Sequence, residues 1–402
     1  MAEVPYVAAL AAAPVEGGVA VVWIEGEKAP QQGVKLGAEG EKAPPQSLKM
    51  ARVSPDGSKG TVVTLADVMP PAPPAKASDV WAPYAIKNRL PSLELQKCGG
   101  VTEVVARGAP ECGWIRATLS GDGSVATPAA LMPPMAKEAP MPNEDVRSRL
   151  GCADGRMVYM WLANIQLMRL GWFTKGAPSG KVVNLRLPGF SPGFVAFGQE
   201  GEATNVTWID IMGEDMSRVI SLTLAKNGEI PMVDPPPPAE GEEPSTEKVM
   251  DLRPVSEEIG SRIEQIKLAE ADDTRAVVFY PKRNDILARF LDRNGRATGS
   301  EMSVVALRTD ANKLLFDATI AGRKLGVAWA ETLTDRWGTV TFQSVGVDGR
   351  APSPPQRLAG LARPDITPVV TAVGDAFTVT WVDHTADEGE SIRMSVVRCG
   401  GR

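Results

Sequence analysis

The chain has 402 residues and a formal net charge of −6, with 43% hydrophobic residues, 39 glycines and 34 prolines. This composition is typical of a globular protein with many turns, and it excludes a long helical bundle. The acidic balance argues against a nucleic-acid partner, because phosphate binding needs clustered Lys and Arg. No apolar run approaches the roughly 20 residues that cross a membrane, so we expect no membrane span.

The opening stretch, "MAEVPYVAALAAAPVEGG", is apolar but has no basic residue before Lys28. It is therefore not a signal peptide as it stands. Two locations stay open: the cytoplasm, or the bacterial periplasm or exterior if a leader was removed. The latter is favoured if such a leader existed.

Two sequence anchors recur along the chain. The first is an alternating run that ends in Trp-x-acid, as in "VAVVWIE", "NVTWID", "GVAWAE" and "TVTWVD", and "MVYMWLAN" keeps the Trp without the acid. The second is a tight Gly turn that follows about 20 to 35 residues later, and Asp-Gly or Asn-Gly there supplies the positive φ of a two-residue hairpin. These turn glycines are Gly57, Gly123, Gly176, Gly228, Gly295, Gly349 and Gly400.

Each repeat reads as four short antiparallel strands in roughly 50 residues. Seven repeats predict an all-β fold, a seven-bladed β-propeller of four-stranded antiparallel blades. A pair of β-sandwiches is the alternative, but sandwiches do not need a periodic Trp. We predict a single domain over 1–402, with blades at about 5–69, 80–132, 144–188, 190–233, 248–307, 312–359 and 364–402.

The whole chain thus resembles a diverged member of the β-propeller superfamily. "SPDGSKGTV" is similar to the Ser-Pro-Asp-Gly element of TolB-like blades, but it occurs once. The Gly-His…Trp-Asp pairing of WD40 repeats, the kelch pattern and the sialidase Asp-box are missing from the sequence. No specific subfamily is therefore indicated.

The last repeat ends at Gly400-Gly401-Arg402, before a fourth strand could form. The first blade starts by about Pro5, which leaves only "MAEV" ahead of it. We therefore predict a three-stranded last blade with an open edge at 391–398, to be completed by a removed leader or by a partner strand.

The strand order divides the disc into two faces. The short turns between first and second strands and the Asp-Gly turns lie on one face, here called the turn face. The other face, the loop face, is predicted to carry the long proline-rich or charged segments 26–46, 70–79, 131–142 and 234–247. Neutral drift could lengthen loops, but it should affect both faces, so the loop face is the predicted working surface.

Side chains at the strand ends are the candidate functional groups. The repeated Trp residues are predicted to pack between blades. The acids beyond them form a predicted acidic rim on the loop face, either simply solvated or steering a basic partner. His384 is the only histidine, which excludes a multi-histidine metal site. The candidate binding residues are Glu25, Asp210, Asp215, Glu331, Asp335, Asp383 and Asp387.

The four cysteines are predicted to be free buried thiols, with a Cys98–Cys152 bond between neighbouring blades as the alternative. A Cys98–Cys112 bond is disfavoured, because the first and third strands of a blade are not adjacent.

These features favour a non-catalytic scaffold that binds a protein or peptide through the acidic loop face. The expected protein is a monomer in isolation and needs no cofactor and no metal. The alternative is a hydrolase or lyase that uses carboxylates at the mouth of the channel, which needs no histidine.

Overall fold

A computed structural model of the protein describes most of the chain. The described residues are 2–26, 46–68, 92–107, 114–131, 149–153, 156–164, 167–174, 177–186, 195–200, 203–213, 216–225, 229–235, 237, 247–271, 274–281, 285–292, 295–307, 314–333, 337–350, 352–384 and 389–398.

Within these ranges the chain forms thirty β-strands. No helix there is long and apolar enough to cross a membrane. The first half contains β1 Ala2–Val4, β2 Tyr6–Val15, β3 Gly18–Gly26, β4 Gln46–Val53, β5 Val63–Val68, β6 Ser92–Cys98, β7 Val101–Arg107, β8 Trp114–Leu119, β9 Val125–Leu131, β10 Arg149–Ala153, β11 Arg156–Asn164, β12 Leu167–Thr174, β13 Ala177–Arg186, β14 Val195–Glu200 and β15 Ala203–Ile211.

The second half contains β16 Ser217–Leu224, β17 Met232–Val233, β18 Val249–Met250, β19 Arg253–Pro254, β20 Ile263–Ala271, β21 Thr274–Pro281, β22 Ile286–Leu291, β23 Ala297–Val305, β24 Leu314–Ala321, β25 Lys324–Thr332, β26 Gly338–Gly346, β27 Gln356–Ala362, β28 Val369–Val373, β29 Ala376–His384 and β30 Glu390–Arg398.

The strands pair into antiparallel groups of four. Five groups are separate sheets, and two more are joined into one eight-stranded sheet by a single pair between Ala362 and Asp383. The first strands of the groups contact each other in cyclic order: β2, β6, β10, β14, β20, β24, β28 and again β2. A ring of four-stranded antiparallel groups is a β-propeller, and the prediction of this fold is confirmed.

The repeated tryptophans all lie on the second strand of a group, at β3, β11, β15, β25 and β29. Trp23, Trp208, Trp329 and Trp381 are at most 7% exposed. Each belongs to an apolar cluster shared with the preceding group; Trp329, for example, packs with Tyr280 and Ile286. A large ring fills the wedge between two sheets, so the predicted packing role of these four side chains is confirmed.

The prediction of a three-stranded last blade is wrong. β1 pairs antiparallel with β30, and Ala2, Glu3 and Val4 face Ile392, Ser391 and Glu390. The group of β28, β29 and β30 therefore gains its fourth strand from the chain's first residues. Only Pro5 separates β1, the outermost strand of this group, from β2, the innermost strand of the next group.

A buried guanidinium holds this crossing in place. Arg363 follows β27, and its Nη1 donates to the backbone oxygen of Val7 at 2.9 Å and to Glu390 Oε1 at 2.7 Å. The other oxygen of Glu390 accepts from the Val7 N–H at 2.5 Å. Burial raises the pKa of Tyr6, whose ring lies 4.8 Å beneath the Arg363 guanidinium. Both polar backbone groups of Val7 are thus satisfied by side chains.

The predicted position of one long segment is also wrong. Met232 and Val233 pair with Met250 and Val249 in a short ribbon, so they are not the fourth strand of their blade. That strand is β19, which pairs with β16 after the segment. β17 and β18, which flank residues 234–247, therefore lie between the third and fourth strands of this blade and thus on the turn face, whereas the sequence predicted the loop face.

The other long segments lie outside the described residues, apart from their flanks. In the first group Tyr6, Gly26, Gln46 and Val68 stand level at one edge of the sheet. Segments 26–46 and 70–79 are therefore flanked by strand ends on the same face, as the strand order predicts.

The prediction of free thiols is wrong for two cysteines. Cys98 ends β6, Cys152 lies on β10, and a disulfide joins them with the Cα atoms 5.3 Å apart. The innermost strands of two neighbouring groups are close enough for the bond, which was the predicted alternative. Cys112 and Cys399 lie outside the described residues.

Candidate binding surface

The four described candidate acids lie near the ends of second strands, where the chain leaves for the loop face. They are Glu25 on β3, Asp210 on β15, Glu331 on β25 and Asp383 on β29. Asp215, Asp335 and Asp387 lie outside the described residues. Binding by this acidic rim stays a prediction, and the surroundings of the four described acids differ.

The two glutamates are held by the tryptophan two residues before them. Trp23 Nε1 donates to Glu25 at 3.1 Å, and Trp329 Nε1 donates to Glu331 at 2.9 Å. Residues i and i+2 of a strand share one face, so the indole reaches the carboxylate directly. Lys49 on the next strand also donates to Glu25 at 2.8 Å. The Trp-x-Glu pattern therefore forms a local hydrogen bond between the indole and the carboxylate at the strand end.

The two aspartates are shorter and differ from each other. Asp210 is nearly buried and lies 3.1 Å from Arg218 Nε on the neighbouring strand. Asp383 Oδ2 is 4.0 Å from Arg393 Nε, and 22% of its side chain is exposed. Burial raises the pKa of the Asp383 carboxyl, while Trp381, Arg393 and His384 act in the opposite direction. Asp383 is thus the least well compensated of the four.

We expect Asp383→Asn to stabilise the protein near pH 7 relative to the wild type. The raised pKa means that the native state binds the proton more tightly than the unfolded chain, so stability from this group is present at low pH and lost as pH rises above about 4. Asn removes the charge and hence this loss. Urea unfolding from pH 3 to 7 measures the effect. A stability difference that does not change with pH would contradict it.

Exposed apolar side chains gather beside Asp383. Leu333 and Leu361 are 58% and 56% exposed, the largest fractions among the described large hydrophobic residues. The Leu333 N–H donates to the oxygen of Trp337, whose ring stacks edge-on against His384 with centroids 4.5 Å apart. We call Leu333, Trp337, Leu361 and His384 the junction patch.

Strand pairing explains why the junction patch forms. Gly338, next to Trp337, pairs with Ala362, and Ala362 pairs in turn with Asp383. The Arg363 N–H donates to Val382 at the same place. The end of β27 therefore bridges two neighbouring blades, and it brings Leu361 close to the end of β29.

Sequence reasoning missed most of this surface. Asp383 is a predicted candidate, whereas His384 was considered only as a possible metal ligand. Leu333, Leu361 and Trp337 carried no repeat signal, since each occurs at one place in one blade. The pairing of Ala362 with Asp383 links residues about 20 positions apart on different blades, and no local pattern shows it.

Solved structures similar to this chain are β-propellers or contain a matching region. The β-propeller domain of the Trilobed protease from Pyrococcus furiosus is 10% identical, with a TM-score of 0.45, over 98% of this chain and 96% of that one. The fucose-specific lectin from Aleuria aurantia is 12% identical, with a TM-score of 0.40, over 78% and 96%.

A prolyl endopeptidase structure is 12% identical, with a TM-score of 0.46, over 97% of this chain and 50% of that one. This chain thus spans half of that enzyme. Likeness at this level of identity concerns the fold alone. No protein-family model matches the sequence, and no curated protein matches it either.

Proposed function

We propose that the protein is a non-catalytic binding module, and that a protein or peptide partner docks on its loop face at the junction patch. The observation that carries the proposal is that Leu333 and Leu361, the two most exposed of the described large apolar side chains, lie on backbone segments that hydrogen bonds and strand pairing bring next to Trp337 and His384. Exposed apolar residues that cluster, rather than scatter, mark interaction sites. Aromatic side chains in such a cluster supply much of the binding energy.

The state of the carboxylates supports binding over hydrolysis. Acid–base catalysis needs carboxyl groups that can exchange protons with a substrate. Glu25 is held by Trp23 and Lys49, Glu331 by Trp329, and Asp210 by Arg218. These groups stabilise strand ends, and among the described candidates only Asp383 stands less firmly held.

The Cys98–Cys152 disulfide supports action outside the cytoplasm. Disulfides persist in oxidising compartments, such as the periplasm or the exterior of the cell. A partner would then be met in one of these compartments.

The test compares what different variants capture from an extract of the native source. Leu333→Glu/Leu361→Glu places two charges in the junction patch, and Val63→Glu/Val125→Glu is the matched control. Val63 and Val125 are 40% and 37% exposed and begin fourth strands just after turns on the turn face. Thermal unfolding first verifies that both variants are folded.

Quantitative mass spectrometry then measures the proteins retained by each variant. We expect the wild type and the control to retain the same partner, and the patch variant to retain it about 30-fold less, as for the loss of a hot spot. Equal retention by the patch variant would refute the proposed site.

A further inference from the structure

We infer that the partner presents an acidic side chain beside its apolar anchor, and that Arg393 receives this carboxylate. The inference rests on the proposed function, since it names the chemistry recognised at the junction patch. Its basis is the difference between Arg393 and the cations that occupy comparable places in other blades.

The comparable cations are paired more tightly. Lys49 on β4 pairs directly with Trp23 on β3 and lies 2.8 Å from Glu25, with 26% of its side chain exposed. Arg218 pairs directly with Asp210 rather than with Trp208, lies 3.1 Å from the carboxylate and is 32% exposed. Arg393 faces Trp381 in the same way as Lys49 faces Trp23, but it lies 4.0 Å from Asp383 and is 51% exposed.

The length of the acid and the strand register together explain this looseness. Asp210 is as short as Asp383 but pairs directly with Arg218, whereas Arg393 is offset by two residues from Asp383. In the first blade Glu25 reaches both the indole and Lys49, whereas Asp383 is one methylene shorter. Within the described part of the chain, the Arg393 guanidinium makes only the 4.0 Å ion pair with Asp383 through Nε. A guanidinium has five donors in a fixed fork, so its terminal nitrogens can take a carboxylate without breaking that pair.

The position of Arg393 joins this donor to the junction patch. Asp383 pairs with Ser391 on one side and with Ala362 on the other, so the end of β29 lies between β30, which carries Arg393, and the end of β27, which carries Leu361. A segment that lays an apolar side chain on Leu361 therefore passes within reach of the guanidinium.

Among the described charged groups around the junction patch, Arg393 is the exposed cation with the longest ion pair. Arg363 is buried and already bonded to Asp365 and Glu390. Glu331 accepts from Trp329. Among the described acids, Asp383 is the one that pairs with Arg393, at 4.0 Å.

A random heptapeptide library displayed on phage is the probe for this inference. Selection on the full chain is expected to enrich Asp or Glu next to Leu, Phe or Trp. One selected peptide is then synthesised with its acid as Glu, Gln or Lys. Fluorescence anisotropy measures each Kd on the wild type, Arg393→Gln, Arg393→Glu and Leu361→Glu.

On the wild type, the Gln peptide is expected to bind about five-fold more weakly than the Glu peptide, as for a half-exposed ion pair. Arg393→Gln removes this preference, and Arg393→Glu reverses it in favour of the Lys peptide. Leu361→Glu weakens all three peptides.

The outcomes separate the two proposals. If Leu361→Glu weakens binding but the wild type does not distinguish Glu from Gln, or if Arg393→Glu still prefers Glu, the inference about Arg393 is overturned and the docking site stands. If no selected peptide is weakened by Leu361→Glu, the docking site itself is refuted.

Discussion

Loss of the Cys98–Cys152 bond is expected to lower the free energy of unfolding by about 4 kcal/mol. The bond joins residues 54 positions apart, so it removes much of the freedom of a long loop in the unfolded chain. It also ties the innermost strands β6 and β10 of neighbouring blades. Urea unfolding of Cys98→Ser/Cys152→Ser against the oxidised wild type measures the loss.

Two controls isolate the bond from the substitutions. Cys112→Ser/Cys399→Ser retains Cys98 and Cys152, so it should unfold like the wild type and lose stability when a reducing agent is added. Trypsin cleaves after Lys97, Arg107, Arg149 and Arg156, so a non-reduced digest should link peptides 98–107 and 150–156. Unlinked peptides from freshly oxidised protein would show that the bond does not form.

Arg363→Met is expected to cost about 3–5 kcal/mol, because it leaves Glu390 as a buried charge without its partner. The two side chains are 7% and 5% exposed and 2.7 Å apart. The substitution also removes the donor to the oxygen of Val7, at the crossing from β1 to β2. Denaturant unfolding gives the total cost, and hydrogen exchange at Val4 and Val7 reports whether the crossing opens first.

A double variant tests whether the charge is the cause. Arg363→Met/Glu390→Gln keeps an amide oxygen that can accept from the Val7 N–H but removes the buried charge, so it should recover part of the lost stability. Arg357→Met is the control for loss of an exposed arginine and should change stability by less than about 0.5 kcal/mol. If Arg363→Met costs no more than Arg357→Met, the buried pair does not hold the crossing.

Hydrogen bonds from a side chain of one blade to the backbone of the next could not be predicted from the sequence. Gln265 on β20 bonds both polar backbone groups of Phe316 on β24. Asp317 on β24 accepts from the Val370 N–H on β28 at 2.9 Å. The Glu390 carboxylate likewise accepts a hydrogen bond from the Val7 N–H on β2. In each case a side chain covers the free edge of the next innermost strand, which has no strand beyond it toward the axis.

The sequence by itself determined the fold class, because alternation, Asp-Gly turns and a periodic Trp are local signals that each blade repeats. It also placed Trp23, Trp208, Trp329 and Trp381 between blades, since a large ring that recurs at the same point of the second strand has one packing role. The positive φ at Gly57, Gly123, Gly295 and Gly349 follows from the same turn signal.

Only the tertiary structure decided how the ring closes, which cysteines pair and where the exposed apolar residues meet. These features depend on contacts between residues far apart in the chain: β1 with β30, Cys98 with Cys152, and Ala362 with Asp383. A three-residue strand such as β1 has too few positions to show an alternating pattern, so its pairing with β30 is visible only in the structure. The candidate surface follows the same rule, because it lies where two blades meet and neither blade contains it alone.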